Sequence, residues 1–255
     1  MILYPNAKIN IGLKILNKRD DGFHNIETLF YPIELADILE IVESETVSMK
    51  EYGIDIPGRS EENICIKAYN LLRQDFDIPP VEINLYKKIP VGAGLGGGSS
   101  DGAHTILLLD TLFNLNLTHN QKVRYASRLG SDCPFFIENR PMLGYGKGEK
   151  LEPFDPALGR YAIKLITPPC FVSTAEAYRG VVPRDKRDNI NDAPLCELLQ
   201  KPVEQWKNHV VNDFEESVFK RYPQLAEYKE NLYKEGALYA SMSGSGSSLF
   251  GIFQK

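Results

Sequence analysis

The feature that most constrains this chain is a glycine-rich run in its first half. Residues 91–101 read Val-Gly-Ala-Gly-Leu-Gly-Gly-Gly-Ser-Ser-Asp, with five glycines among seven residues, and a helix-like stretch follows. Glycine adopts left-handed backbone conformations at little cost and lets its N–H approach a ligand closely. Ser99 or Ser100 would cap the helix and leave its first N–H groups for an anion. The run therefore predicts a phosphate-binding loop that ends in a helix N-terminus.

Other glycine patterns fit this run less well. It satisfies the dinucleotide-binding pattern G-x-G-x-x-G, but the acidic residue expected about twenty residues later at a strand end is missing, because Asp110 lies inside the predicted helix. A Walker loop needs Lys and then Ser or Thr after its last glycine, where this chain has Gly98 and Ser99. A protein kinase would also carry His-Arg-Asp and Asp-Phe-Gly, which the chain lacks. A turn without a ligand stays open as the plain alternative.

Composition narrows the class of protein. The chain has 255 residues, 43% of them hydrophobic and 25% charged, which is ordinary for a globular protein with one large or two modest domains. A net charge of −5 argues against a broad nucleic-acid surface. The four scattered cysteines predict core residues in a reducing cytoplasm, and the N-terminal residues predict neither a signal peptide nor a membrane span. We expect a cytoplasmic protein with small-molecule ligands, without nucleic-acid or membrane partners. Its oligomeric state stays open between a monomer and a weak dimer.

Hydrophobic periodicity predicts an α+β architecture. Apolar and polar residues alternate from Ala7 to Leu16, which is typical of a strand with one buried face, and Lys8 and Asn10 share its other face. Strands and helices mix without a strict βαβ alternation. A proline- and glycine-containing stretch near 153–159 predicts a boundary between domains at 1–153 and 160–255. Further strands are predicted at 37–43, 81–85, 161–166, 238–241 and 249–253, a hairpin at 142–149, and helices at 62–76, from the glycine run to 113, at 118–129, at 194–200 and at 224–234.

The glycine run also carries a family resemblance. Pro90–Ser100 match, at every position, the P-x-G-x-G-L-G-[GS]-[GS]-S-S motif of the small-molecule kinases that include galactokinase, homoserine kinase and mevalonate kinase. Pro5–Asn10 and Met242–Ser248 resemble the two motifs that flank it in that family. The resemblance implies an N-terminal α/β nucleotide-binding domain, a ferredoxin-like C-terminal domain, and ATP with Mg²⁺. It implies that the ATP phosphates are held by Val91, Gly92, Ala93, Gly94, Leu95, Gly96, Gly97, Gly98, Ser99, Ser100 and Asp101.

Phosphoryl transfer to a hydroxyl also needs a proton acceptor and a cation. Asp132, in Gly-Ser-Asp-Cys-Pro-Phe, is the candidate base, although an aspartate at this place before a proline is equally typical of a helix cap. Lys8 is the candidate cation, with a solvated surface lysine as the alternative. The resemblance favours catalytic roles for Lys8 and Asp132 and implies that Asn10 lines the substrate site. Mg²⁺ would bridge the phosphates, but the sequence assigns no metal ligand.

The segment Arg-Asp-Asp-Gly-Phe-His-Asn-Ile-Glu-Thr-Leu-Phe, residues 19–30, bears on the acceptor. It resembles the branch of the family that phosphorylates a 4-diphosphocytidyl sugar alcohol in isoprenoid precursor synthesis. The resemblance implies that the rings of Phe23 and Tyr178 sandwich the cytosine while His24 reads its polar edge. The alternatives are a turn histidine and a core aromatic. Phe23 stands where the family more often has tyrosine.

Two rival functions remain at this stage. One is another kinase of the same family, of the homoserine or mevalonate type, and the residue 19–30 segment argues against it. The other is a catalytically silent nucleotide-binding regulator, which the presence of both Lys8 and Asp132 argues against. The chain also departs from the family after the glycines, where Gly102 is expected to loosen the first turn of the helix and His104 is a bulkier neighbour than usual.

Overall fold

The computed structural model describes residues 1–186 and 193–255. The chain divides into two compact units, each built from several stretches of sequence. The first comprises Met1–Lys8, Pro32–Val91 and Gly96–Arg140, and the second Ile9–Tyr31, Gly92–Leu95 and Pro141–Lys255. A short strand, β1 (Ile2–Leu3), opens the chain, and two long strands, β2 (Asn6–Lys18) and β3 (His24–Ala36), pass from one unit into the other. The domain boundaries inferred from sequence stay a prediction.

The first unit contains a mixed four-stranded sheet. Strand β4 (Ile38–Glu43) pairs antiparallel with β1 and with β6 (Val81–Lys87), and β5 (Ser48–Gly53) lies parallel to β6 at the edge. The strand order is β1-β4-β6-β5. Alternate β6 residues are buried, as a sheet with one covered face requires.

Helices of the first unit bury the covered face of this sheet. They are α1 (Ile64–Arg73), α2 (Gly97–Leu112), α3 (His119–Leu129) and α4 (Cys133–Glu138), with a short 3₁₀ turn at Ser60–Glu62. The predicted Thr118 cap of α3 is confirmed, because Thr118 and Gln121 form a reciprocal capping box. There is no room for a side chain at position 102, because a Cβ on Gly102 would lie 2.8 Å from the Ile64 side chain of α1. Gly102 therefore permits close packing of the two helices within an unbroken α2, and the expected loosening is wrong.

The second unit carries two sheets. Strands β7 (Met142–Tyr145) and β8 (Lys150–Pro153) form the predicted hairpin and complete the order β2-β3-β7-β8. Strand β9 (Tyr161–Ile166) lies in an antiparallel sheet of order β10-β11-β9. The remaining elements are α5 (Thr174–Gly180), α6 (Leu195–Leu199), α7 (Glu215–Arg221), α8 (Pro223–Lys234), β10 (Tyr239–Met242), β11 (Leu249–Gln254) and 3₁₀ turns at Leu158–Arg160, Arg184–Lys186 and Val203–Gln205.

The α+β class predicted from sequence is confirmed, and each predicted helix and strand has a counterpart. Strands β3 and β5 and helices α5 and α7 were not predicted, because their sequences lack a clean hydrophobic period, and the two-residue strand β1 is too short to show one. Of the cysteines, Cys65 and Cys133 are buried in the first unit's core, whereas Cys170 and Cys196 are half-buried. None of the described helices is long and apolar enough to cross a membrane.

The prediction of one buried face for β2 is wrong. Ile9 and Ile11 are buried as expected, but Lys8 and Asn10, on the other face, are buried as well. Polar side chains can occupy such a place only when hydrogen-bonding or charged partners meet them there. The partners of Lys8 and Asn10 belong to the candidate site.

Candidate active site

The glycine run leads into α2, with a cap different from the predicted one. Helix α2 begins at Gly97, and its N-cap is Gly96 in the left-handed region at φ 70°. Ser99 and Ser100 lie inside the first turn, so the prediction of a serine cap is wrong. Because no side chain caps this end of the described helix, the N–H groups of its first turn suit an anion, and the positive end of the helix dipole favours one.

Gly96 also brings the helix end against Lys8. A Cβ on Gly96 would lie 3.0 Å from Lys8 Cε and 3.0 Å from Phe136 Cζ, closer than side-chain atoms normally pack. Only glycine combines this approach with the positive φ. The long side chain of Lys8 thus runs beside the N-terminus of α2.

Lys8 and Asp132 form a charged pair at this helix end. The Lys8 Nζ lies 3.6 Å from Asp132 Oδ2. Lys8 is 4% exposed, so burial lowers the pKa of its ammonium group, and the Asp132 carboxylate offsets part of this. The alternative that Lys8 is a solvated surface lysine is therefore wrong.

Asp132 is the N-cap residue of α4, but its side chain does not cap the helix. It directly precedes α4, whose first turn contains Pro134, but its side chain makes no capping hydrogen bond. The carboxylate faces Lys8 and the Ser131 hydroxyl, at 3.4 Å, and the side chain is 32% exposed. Asp132 thus has the position of a helix cap, but the capping hydrogen bond that this alternative requires is missing. A carboxylate held beside a buried ammonium and open on one side suits proton transfer.

The residues of the glycine run differ in how far they are exposed to solvent. Val91, Gly92 and Gly98 are exposed, whereas Ser100 and Asp101 are buried. Ser100 Oγ lies 3.3 Å from Nδ1 of His104, and Asp101 pairs with Lys87 at 2.7 Å. Any contribution of Asp101 to phosphate binding is therefore made through the helix that it anchors.

In the second unit, three sequence motifs meet. Ser243 Oγ donates a hydrogen bond to the Gly94 carbonyl at 2.9 Å and accepts one from the Asn10 backbone N–H at 3.1 Å. Ser248 N–H donates to the Ala93 carbonyl at 3.2 Å. A Cβ on Gly94 would collide with the Ser243 carbonyl. The first glycines of the run and a second glycine turn, residues 243–248, thus support one another.

The Asn10 side chain is held among polar groups in the second unit. Asn10 is 2% exposed, and its Nδ2 donates to Thr28 Oγ1 at 3.0 Å. Thr28 in turn donates to the Gly12 carbonyl at 2.6 Å. Asn10 therefore joins β2 to β3 as well as to the second glycine turn.

Sequence reasoning missed Asn212. Its Nδ2 donates to the carbonyls of Met242 and Gly244, both at 2.8 Å, and its Oδ1 accepts from the Phe214 N–H at 3.0 Å. Asn212 thus fixes the start of the second glycine turn. No local signal marks it, because an asparagine between Val211 and Asp213 resembles any loop asparagine.

The residues predicted to bind a base lie in the second unit, in an unexpected arrangement. The rings of His24 and Tyr178 stack, with centroids 5.0 Å apart and planes 20° apart. Tyr178 also meets Phe214 edge to face at 4.8 Å. Phe23 is 58% exposed, with Lys147 Nζ 4.6 Å from its ring centroid. The structure thus joins His24 with Tyr178, whereas Phe23 presents its ring to solvent.

The environment of His24 favours the neutral imidazole. Partial burial lowers its pKa, and Lys18 lowers it further, against an opposing effect of Asp185. A neutral ring offers one donor and one acceptor nitrogen, which suits the edge of a base.

Comparisons with known proteins agree with the family resemblance of the glycine run. The model of the GHMP kinases N terminal domain matches residues 63–140, and the model of the GHMP kinases C terminal domain matches residues 197–255. A crystal structure of the Methanococcus jannaschii mevalonate kinase, 16% identical, covers 100% of this chain and 90% of its own with a TM-score of 0.71, which supports the fold alone. Fold and sequence together define a two-domain small-molecule kinase of the GHMP class.

Relatives with higher identity narrow this class. The 4-diphosphocytidyl-2-C-methyl-D-erythritol kinase of Bacteroides fragilis is 49% identical over 257 residues, covering 99% of this chain and 92% of the relative. A crystal structure of a 4-(cytidine 5'-diphospho)-2C-methyl-D-erythritol kinase is 34% identical, with a TM-score of 0.81, and covers 99% of this chain and 90% of its own. The chain belongs to the family of 4-diphosphocytidyl-2-C-methyl-D-erythritol kinases, which are ATP-dependent enzymes of the non-mevalonate route to isoprenoids.

Proposed function

We propose that this chain transfers the terminal phosphoryl group of ATP to the 2-hydroxyl of 4-diphosphocytidyl-2-C-methyl-D-erythritol. The observation that carries the proposal is the pair of Lys8 and Asp132 beside the N-terminus of α2. Family membership supports the reaction and the substrate. The pair supplies the two charged groups that the reaction needs next to an anion-binding helix end.

Asp132 is the proposed general base. Its carboxylate accepts the proton of the acceptor hydroxyl as that oxygen attacks the terminal phosphorus, and the bond to the leaving phosphate oxygen breaks. Its partial exposure leaves room for the hydroxyl to reach it.

Lys8 is the proposed cation for the transferring group. Its Nζ is held by burial and by Asp132, so little reorganisation is needed when negative charge develops on the phosphoryl oxygens. The proposed phosphate contacts come from the glycine run, through backbone N–H groups at the start of α2.

Mg²⁺ is compatible with this site as an ion carried by the nucleotide. Among the described residues, no three metal-ligating side chains cluster as a dedicated metal cage would require. Mg²⁺ commonly binds through substrate phosphates, waters and one or two carboxylates. The exposed side of the Asp132 carboxylate is an oxygen donor of that kind. When bound, Mg²⁺ would neutralise charge on the phosphates.

Phe23, His24 and Tyr178 are the proposed cytosine-binding residues. The second unit contains the exposed ring of Phe23, the ring of Tyr178 and an imidazole whose environment favours its neutral form. His24 covers one face of Tyr178, so a base that stacks on this face has to displace His24. Asn10 is the proposed fourth substrate residue, acting through its link to the second glycine turn.

A coupled assay of ADP release tests the proposal against its rivals. The purified chain is incubated with ATP, Mg²⁺ and one of three acceptors: the cytidyl substrate, homoserine or mevalonate. We expect turnover with the cytidyl substrate only. Preferred turnover of homoserine or mevalonate would assign another kinase of the class, and ATP binding without turnover of any acceptor would indicate a regulator.

A further inference from the structure

Three charged residues form a buried cluster in the first unit, beneath the start of α2. Lys87, the last residue of β6, contacts both Asp37 and Asp101, and its Nζ lies 2.7 Å from Asp101 Oδ2. All three side chains are at most 2% exposed. The cluster contains two carboxylates and one ammonium group, so its charge depends on whether one carboxyl keeps a proton.

Gly97 admits the ammonium group to this place. A Cβ on Gly97 would lie 2.9 Å from Lys87 Nζ. A cation beside the first turn of a helix is disfavoured by the helix dipole. The two aspartates compensate for this, because they hold the pKa of Lys87 above its ordinary value although burial alone would lower it.

Asp37 connects the cluster with the strand start that carries Lys8. Asp37 Oδ1 accepts hydrogen bonds from Lys88 N–H at 2.5 Å and Ile89 N–H at 2.8 Å, just before the glycine run. Its own N–H donates to the Pro5 carbonyl at 2.9 Å, three residues before Lys8. One side chain and its backbone thus tie together three segments of the first unit.

Asp101 is the member with an incomplete set of partners. Its Oδ1 has no hydrogen-bond partner among the described residues and is fully buried. An ionised carboxylate oxygen without a partner is costly in such a place, whereas a protonated carboxyl is tolerated. The geometry therefore favours a proton on Asp101.

We propose that Asp37, Lys87 and Asp101 are positioning residues that hold the N-terminus of α2 for the nucleotide and set its affinity through the net charge of their cluster. The inference rests on the proposed nucleotide-binding role of this helix end. With one proton on the two carboxyls the cluster is neutral, and without it the cluster carries a charge of −1. Asp101 lies four residues, or about 6 Å of helix rise, from the first residue of α2, near enough for that charge to act on a bound polyphosphate.

The pH range of the effect follows from the surroundings of Asp101. Burial and, to a smaller extent, the Asp37 carboxylate raise the pKa of the Asp101 carboxyl, Lys87 opposes them, and the net result is a pKa of about 8. Cys65 of α1 also faces Asp101, and its thiol pKa is raised well above the ordinary value, so it stays neutral. As the pH rises through about 8, Asp101 loses its proton, the cluster becomes negative, and anion affinity falls.

Calorimetric titration with ADP between pH 7.5 and 9.5 tests this inference. Over this range the ADP phosphates are already ionised. For the wild type we expect the Kd to rise about five- to tenfold. Asp101→Asn is isosteric and uncharged, so the ratio of its Kd at pH 9.5 to its Kd at pH 7.5 should be smaller than that of the wild type, whatever its affinity at pH 7.5. Loss of the Lys8 proton at high pH weakens ADP binding in both proteins alike, so it cancels when the Kd of one protein is divided by that of the other at each pH.

Two further variants keep the test decisive. Asp110→Asn changes another buried, lysine-paired aspartate, at the far end of α2, and should retain the wild-type pH dependence. Asp37→Asn leaves a neutral pair of Lys87 and Asp101 and should reduce the dependence as Asp101→Asn does, which serves if the latter fails to fold. Equal pH dependence in wild type and both cluster variants would overturn the inference alone. Absence of ADP binding by the folded wild type would overturn the proposed function and the inference with it.

Discussion

The proposed catalytic pair of the first unit, Lys8 and Asp132, and the proposed base-binding rings of the second, Phe23 and Tyr178, differ in how firmly the structure holds them. Lys8 is buried between Gly96 and Asp132. In the second unit, by contrast, Phe23 is mostly exposed, and Tyr178 is covered by His24. Charge stabilisation requires groups that are in place before the reaction, because reorienting them costs free energy. Recognition of a flat base needs ring faces, which a ligand can order as it binds.

The largest expected effect concerns the first region. Asp132→Asn keeps the shape of the side chain but removes its basicity, so kcat should fall at least about a hundredfold with little change in nucleotide affinity. Steady-state kinetics and ADP titration measure the two quantities. Asp77→Asn, an exposed aspartate of the same unit, is the control. Retained turnover would show that the firmly held pair is structural.

The next effect tests the close approach at the helix end. Gly96→Val introduces a branched side chain at positive φ, where a non-glycine residue costs about 1–2 kcal/mol, and presses on Lys8. We expect kcat/KM for ATP to fall about thirtyfold, with both kcat and KM affected.

Gly98→Val is the matched control for that substitution. A Cβ on Gly98 meets no atom within 4 Å, and its backbone is not in the left-handed region. We expect a much smaller loss. If both variants lose activity equally, the loop rather than the contact with Lys8 is responsible.

A smaller effect concerns the second region. Tyr178→Ala removes a stacking face, for which we expect a loss of about 1–2 kcal/mol, or a roughly five- to thirtyfold rise in KM for the cytidyl substrate. KM for ATP should stay unchanged, and Tyr178→Phe should retain the wild-type value. An equal rise in both KM values would make Tyr178 a packing residue and confine base recognition to the residue 19–30 segment.

The smallest effect is a pH dependence of the first region. Because burial lowers the pKa of Lys8, the ammonium loses its proton at a lower pH than an ordinary lysine does. As the pH rises from 8 to 10, kcat should fall, by up to about tenfold. Lys8→Arg keeps its charge over this range, so its kcat should be lower than that of the wild type but should not change with pH. A wild-type kcat that is constant up to pH 10 would contradict a catalytic cation at Lys8.

Much of the candidate site was open to prediction because its parts are local in sequence. The glycine run, the strand with Lys8 and the phrase around Asp132 each have their own pattern, and the structure brings Lys8, Gly96 and Asp132 together. The serine cap was predicted wrongly, since local rules favour serine whereas contact with Lys8 requires glycine at position 96. Burial of the polar face of β2 was also missed, because periodicity does not show what covers a strand.

The α+β class, the family and most of the residues proposed to carry the chemistry follow from the sequence, because a motif records which residue types a backbone and a reaction require. Which distant residues become partners depends on the packing of the folded chain. The contacts of Lys87 with Asp37 and Asp101, of Asn212 with the second glycine turn, and of His24 with Tyr178 join positions far apart in the chain. Burial and charge compensation select such partners, and both depend on every element packed around them rather than on local sequence.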